Sequence, residues 1–351
     1  MLRPISGLKA QHVASIEWLA KATKAKVTGL VVGSKTIDFM PLLSPKDLDD
    51  RNIKVQAQSA ASLLLVFQAI LPFLLFAGDA DDSPLTVTIQ GGTNVSWSLS
   101  FEYLDQVLLP ALERFDIKIE RHLEFRGWSH GTPQVGSAKF KLVPFAPGRT
   151  IKSPNWPLER GTITKIDVSI IVPSDMQSPL RKYLLTEIGR VFPGVEANIF
   201  LVEDSKHRAR LYTLLVAHTT TGLRFGRDWL YDKTTKNKSV EDLSTEIARK
   251  TVNELDKELQ RGGVVDEYLQ DQLVVFQALA EGKSSIPFSS EAISSGRDRV
   301  DRTDEPFGDG SMHTMTARWV TSQLLPQSKW IDKGRICEGI GWKVTIMPPA
   351  S

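Results

Sequence analysis

Cysteine is almost absent: Cys337 is the only one among 351 residues. No intramolecular disulfide and no cysteine-built zinc site can therefore form. Histidine gives no metal site either, since His12, His122, His130, His207 and His218 read as ordinary polar residues with no pair at ligand spacing. A surplus of one charge is also missing. The 43 Lys and Arg against 41 Asp and Glu leave a formal charge of +2, which argues against a chain that coats nucleic acid through a broad phosphate-contact surface. The opening residues MLRPISGLKAQHV lack the apolar core of a signal peptide, and no basic cluster stands out as a nuclear address.

One long uncharged run is present, AASLLLVFQAILPFLLFAG at 60–78. It is about 19 residues long, close to what spans a bilayer. Gln68 and Pro72 lie inside it, Asp79, Asp81 and Asp82 follow it, and no Lys/Arg cluster flanks it. It is expected to be a buried core helix and not a membrane span. With 41% apolar and 24% charged residues, the chain reads as soluble and globular, long enough for one large domain or two.

Periodicity organises the rest. An amphipathic helix is expected over 7–24, then two short strands, KVTGLVVGS and KTIDFMP, turning at Gly33-Ser34. A polar stretch from Pro41 to Asn52 leads into the apolar helix. LTVTIQGGTN reads as a strand, 99–115 as a helix, and IKIERHLEF with AKFKLVPF as a strand pair. The order helix, strand, strand thus recurs, and predicts an α/β (α+β) fold of small α-β-β units, each a sheet with helices on one face. A Pro-rich break covers 144–161. Beyond it come the strand ITKIDVSIIVP, a helix over 178–191, the strand EANIFLVED, and a hairpin of RLYTLLVAHTT and GLRFG. Residues 174–230 are expected to form a small inserted α/β domain, with 1–173 and 231–351 forming the main, discontinuous one. Helices are expected over 240–260 and after Gly262-Gly263. A long polar loop precedes His313, and a helix and two short strands, the last ending near Val344, close the chain. Acidic residues fit solvated faces, and Trp18, Trp97 and Trp319 are expected to be core or partly buried. Arg208, Arg210, Arg224 and Arg227 fit a solubilising surface.

Several segments resemble the RNA 3′-terminal phosphate cyclase family. They are GLKAQHV at 7–13, QSAASLLLVFQAILP at 58–72, IQGGTN at 89–94, LERGTITKI at 158–166, RGGVVDEYLQDQLVVFQALAEG at 261–282 and HTMTARWVTSQ at 313–323. They follow family order along essentially the whole chain, and the DEYLQDQ segment is the specific one. The resemblance implies an ATP-dependent enzyme, a ligase by class. A histidine matching His313 takes AMP from ATP and passes it to an RNA 3′-phosphate, and the adjacent 2′-hydroxyl then closes a 2′,3′-cyclic phosphate. A neutral imidazole is nucleophilic near neutral pH and a phosphoramidate is labile enough to hand AMP on. ATP and Mg2+ (or Mn2+) are the implied cofactors, the cation neutralising phosphate charge. RNA 3′ ends are the implied partner, with no membrane, and the location implied is intracellular and nuclear (nucleoplasm or nucleolus).

By the same resemblance Tyr268, Asp271 and Gln272 line the nucleotide pocket. Spaced three and four apart on a helix, they share a face. Gln11 and Gln68 match glutamines that contact the nucleotide. Trp128 stands at the aromatic position of the adenine-side loop, and Arg126 and Arg3 are the candidates for phosphate. Two departures are visible. The family opens with a D-G-x-x-x-E-G-G-G-Q-x-x-R segment and a basic I-R-x-x-R stretch; this chain begins at the end of that stretch, with only Arg3 matching. A start downstream of the natural one, or a shortened homologue, is therefore expected. The loop RGWSHGTPQVG at 126–136 also lacks the family's proline and glycine triplet. Alternative functions are a catalytically silent cyclase-like RNA-processing or ribosome-assembly factor and, since it too repeats α-β-β units, an enolpyruvyl transferase. The first is opposed by His313, the second by the absence of its motifs.

Overall fold

The computed structural model describes residues 7–57, 61–287, 307–308 and 310–344. Arg3 and most of the polar loop before His313 fall outside the described residues. The chain divides into two compact units, one of residues 1–101, 118–150 and 343–351, the other of 102–117 and 151–342.

The first unit opens with α1 (Ala10–Thr23), which ends at Lys24 in a left-handed conformation, followed by the antiparallel pair β1 (Lys26–Thr28) and β2 (Asp38–Met40). Strand β3 (Asn52–Gln56) and strand β4 (Leu85–Gly91) run parallel and are joined through α2 (Leu63–Leu75). Parallel neighbours need such a crossover. Strands β5 (Ile119–Phe125) and β6 (Gly136–Leu142) complete a four-stranded sheet in the order β3-β4-β6-β5. The alternation of β4 and β6 puts Leu85, Val87, Ile89, Ala138 and Phe140 in the core, against the helix that the sequence marks as apolar all round. Phe67 of α2 stacks on Phe140 at 3.9 Å between ring centroids. Helix α2 has 13 residues, and among the described residues no helix is long and apolar enough to cross a membrane.

Sequence reading passes over β3. Its five residues, NIKVQ, alternate exposed and buried, a signal too short to separate from the polar stretch before it. The second block is therefore strand, helix, strand and not helix, strand, strand.

The second unit begins along α3, a helix built of Phe101–Tyr103, a π-helical turn Leu104–Leu108 and Leu109–Glu113. Strand β7 (Ile163–Val172), helix α4 (Ser174–Val191) and strand β8 (Glu196–Asp204) form a second parallel crossover. With the hairpin β9 (Tyr212–Thr219) and β10 (Arg224–Leu230) they make a sheet ordered β10-β9-β7-β8. The stretch 174–230 thus shares its sheet with β7, which precedes it. Helix α3 reaches this sheet where Gln106 Nε2 donates to Ser169 Oγ at 3.0 Å. It passes so close to β10 that a Cβ on Gly226 would lie 2.7 Å from the Tyr103 ring. Helix α5 (Val240–Gln260) starts on a capping box, Ser239 Oγ accepting from the Asp242 amide at 3.0 Å. Helix α6 (Glu267–Leu279), β11 (Glu281–Ser285), helix α7 (Met312–Leu324), β12 (Lys329–Ile331) and β13 (Ile336–Ile340) follow. The last three strands form an antiparallel sheet ordered β11-β13-β12.

Candidate active site

Helices α6 and α7 pack side by side, and that packing sets the site. Val274 and Ala278 of α6 meet Trp330 and Cys337 of the small sheet in a buried cluster, against which Ala317 and Leu325 also pack. Thr314, Met315 and Arg318 are the buried face of α7, and the Arg318 guanidinium lies 5.7 Å from the centre of the Trp330 ring. The helix starts at Ser311, whose Oγ accepts from the Thr314 amide at 3.2 Å. Just before it, Gly310 has φ +103°, and a Cβ there would come within 2.2 Å of Gln270 Oε1. A side chain here would be strained by the positive φ and would push the Gln270 amide aside.

His313 is thereby placed in the first turn of α7, its side chain 60% exposed and its Nδ1 3.7 Å from Asp271 Oδ2 on α6. That is ion-pair range, beyond a hydrogen bond. Burial raises the Asp271 carboxyl to about 7, helped by the negative charges of Asp266 and Glu267 and opposed by the Gln272 backbone amide. One turn back, Tyr268 is 45% exposed, and Gln272 Nε2 donates to the Tyr268 carbonyl at 2.5 Å. Tyr268, Asp271, Gln272 and His313 thus stand together, the first three on the unburied side of α6.

The other named residues belong to the first unit. Gln11 lies in the first turn of α1 and Gln68 on α2, both half-buried. Arg126 follows β5, its Nη1 3.4 Å from Asn94 Oδ1. Trp128 is only 2% exposed, and its backbone exchanges hydrogen bonds with Gln134 at 2.8 and 3.0 Å. The glycines of this loop serve close packing of backbone, since a Cβ on Gly127 would lie 2.3 Å from the Gly91 carbonyl oxygen.

Sequence reading missed the ionic network beneath α6. Asp266, fully buried, caps the helix. Its Oδ1 accepts from the amides of Tyr268 and Leu269, each at 3.0 Å, and from the Tyr103 hydroxyl at 2.5 Å, while Oδ2 accepts from the Gly226 amide at 2.8 Å. Burial and the Asp266 charge push the Tyr103 phenol well above its ordinary value. Arg227 is 5% exposed, so its expected place on a solubilising surface is wrong. It pairs with Glu258 and reaches Glu267 at 3.4 Å, and Arg261 meets both carboxylates at 3.0 Å. Burial opposes the Arg227 charge, but the surrounding carboxylates outweigh it and raise its pKa. Its guanidinium carbon sits 4.2 Å from the centre of the Tyr268 ring, and Tyr103 meets that ring edge-on at 6.3 Å between centroids. An aspartate just before an apolar helical run is a legible cap signal. The partners of Arg227 lie 31 and 40 residues away in sequence, and no local pattern announces them.

Comparison with known proteins identifies the family. A family model described as RNA 3′-terminal phosphate cyclase matches residues 2–328. A protein of Dictyostelium discoideum named "Probable RNA 3′-terminal phosphate cyclase" is 31% identical over 325 residues, covering 91% of this chain and 67% of that one. RNA 3′-terminal phosphate cyclase of Drosophila melanogaster is 29% identical over 297 residues, 81% of this chain and 75% of its own. The protein of that name from Thermococcus kodakarensis is 30% identical over 286 residues, 81% and 76%.

Proposed function

The chain belongs to the RNA 3′-terminal phosphate cyclase family, and we propose that it converts an RNA 3′-phosphate to a 2′,3′-cyclic phosphate at the expense of ATP, with His313 carrying AMP. The observation that carries this reading is the pairing of an exposed His313 with Asp271 at the start of α7. With Nδ1 turned toward Asp271, Nε2 lies on the far side of the ring and is the nucleophile. It bonds to the α-phosphorus of ATP as the bond to the β-phosphate oxygen breaks and pyrophosphate leaves. An oxygen of the RNA 3′-phosphate then takes the AMP, breaking the N–P bond and regenerating the imidazole. Finally the 2′-hydroxyl attacks the terminal phosphorus, losing its proton, and AMP departs.

The surroundings support each role. The helix N-terminus beneath His313 favours the negative charge of phosphates. Tyr268, backed by Arg227 and Tyr103, offers an exposed aromatic ring for stacking a base. Asp271, its side chain 26% exposed beside the imidazole, is a hard oxygen donor of the kind Mg2+ takes. Asp271 would be the residue to hold a divalent cation, which would supply charge neutralisation on the phosphates. Gln11, Gln68 and Arg126 are assigned to the nucleotide and phosphate on the family pattern, whereas Trp128, 2% exposed, is too buried to take a base and serves packing instead.

The test is incubation of the purified protein with α-labelled ATP and Mg2+, followed by denaturing separation. An acid-labile, alkali-stable label that His313→Ala abolishes without unfolding the protein is the expected result. A label that persists in His313→Ala overturns the assignment, and no label in the unaltered chain favours a silent binding protein.

A further inference from the structure

Trp97 is 96% exposed, the reverse of its expected place in or near the core, and its φ is +62°. The left-handed region disfavours a bulky side chain, and such strain persists only where the surroundings impose it. Among the described residues the other non-glycine positions with positive φ are Asp, Asn and Lys, and Trp97 is the one aromatic. The surroundings that impose it are visible. The Ser96 amide donates to Ser129 Oγ at 3.2 Å, Ser96 Oγ and His130 Nε2 are 2.7 Å apart, and Ser98 Oγ donates to Ser62 Oγ at 2.5 Å. Hydrogen bonds on both sides of Trp97 therefore hold its turn and present the ring to solvent.

A second exposed aromatic lies at the same end of the sheet. Strand β4 ends at Gly91, opposite Gly136, and the next residue of β6, Ser137, is paired with Phe125, which is 50% exposed. Arg126 follows Phe125 and meets Asn94 of the segment leading to the Trp97 turn. The rim around Trp97 is Ser96, Ser98, Ser129 and His130, all polar. A flat ring isolated among hydroxyls and an imidazole suits a partner with an apolar face and a polar edge, not a contiguous apolar protein surface. Aromatics interleaved with basic groups are how single strands are gripped without reading a base code.

We propose that Trp97 is a stacking platform for a nucleobase of single-stranded RNA, with Phe125 at the same end of the sheet and Arg126 and His130 supplying the polar groups of that end. The proposal rests on RNA being the substrate.

Binding of a short 5′-fluorescein-labelled single-stranded RNA with a 3′-phosphate, followed by anisotropy without ATP, tests it. Trp97→Ala is expected to raise Kd about 5- to 150-fold, the span that base–aromatic stacking covers, and Trp97→Phe to restore most of the affinity. Labelling of His313 by ATP in the absence of RNA stays unchanged in both variants. Abasic substitution at the stacked nucleotide should weaken the unaltered protein but not Trp97→Ala, a non-additivity that a merely structural role does not produce. Equal RNA affinity in Trp97→Ala and the unaltered protein overturns the proposal, as does failure of the unaltered protein to bind RNA. If RNA binds through Trp97 while His313 takes no label, the platform stands and the cyclase reading falls.

Discussion

Replacing Asp271 by Asn removes the one carboxyl of the site that burial holds near neutrality, and the consequence for stability can be worked through. The folded pKa is about 7 against an ordinary 3.8. A raised folded pKa contributes stability that is complete below the unfolded value and is lost as pH rises through the folded one. Between those limits the unfolded chain gives up its proton while the folded protein keeps it. About three pKa units at about 1.4 kcal/mol each set an upper bound of about 4 kcal/mol. With 26% of the side chain exposed, solvent reduces that to about 2–4 kcal/mol. Urea unfolding of the unaltered protein and Asp271→Asn, without nucleotide or divalent cation, is the assay. The variant should gain on the unaltered protein by about 2–4 kcal/mol between about pH 4 and pH 7, with no further change above about pH 8. Curves that run parallel across that range would falsify the burial argument.

Two further outcomes follow from buried charge and backbone strain. Arg227→Met strands Glu258, which is 3% exposed, and should cost about 3–5 kcal/mol in chemical denaturation; a loss under about 1 kcal/mol would mean that Arg261 alone satisfies that carboxylate. Trp97→Gly removes a ring that packs on little and relieves φ +62°. A gain of about 0.5–1 kcal/mol is expected by differential scanning calorimetry, and a loss would show that the exposed ring stabilises the turn.

Much of this fold is legible in the sequence where periodicity is long and unambiguous. The apolar run that becomes α2, the alternation in β4 and β6, and the amphipathic α5 fall where the pattern puts them. The helix 240–260 coincides with α5 because Ser239 is followed three residues later by Asp242, a complete capping signal. Strand β3 was hidden because five residues give only two inward-facing side chains, Ile53 and Val55. At the site, Tyr268, Asp271 and Gln272 share the unburied side of α6 as their spacing requires, and His313 comes beside Asp271 from 42 residues further along the chain. Exposure is where pattern reading failed. Trp319, expected to be core or partly buried, is 50% exposed, and Arg227 is buried because of carboxylates remote in sequence. Residue type alone sets an average exposure, and a hydrogen-bonded turn or an ionic partner can override it in either direction.

The first turn of α6 bears on the chemistry assigned to His313. Asp266 and Glu267 stand at a helix N-terminus, where negative charge is stabilising. A turn further on, the same two charges add to burial in raising Asp271. Asp271 stands 3.7 Å from His313 Nδ1 and leaves Nε2 on the far side of the ring. Burial of Asp271 costs stability above its pKa, a cost that the adenylylation reading attaches to the site. Asp271→Asn would remove both the carboxylate beside Nδ1 and the hard ligand for a cation. Comparing its rate of self-labelling with ATP at low and saturating Mg2+ separates those roles. A deficit that saturating Mg2+ repairs assigns Asp271 to the cation; one that persists assigns it to the ring.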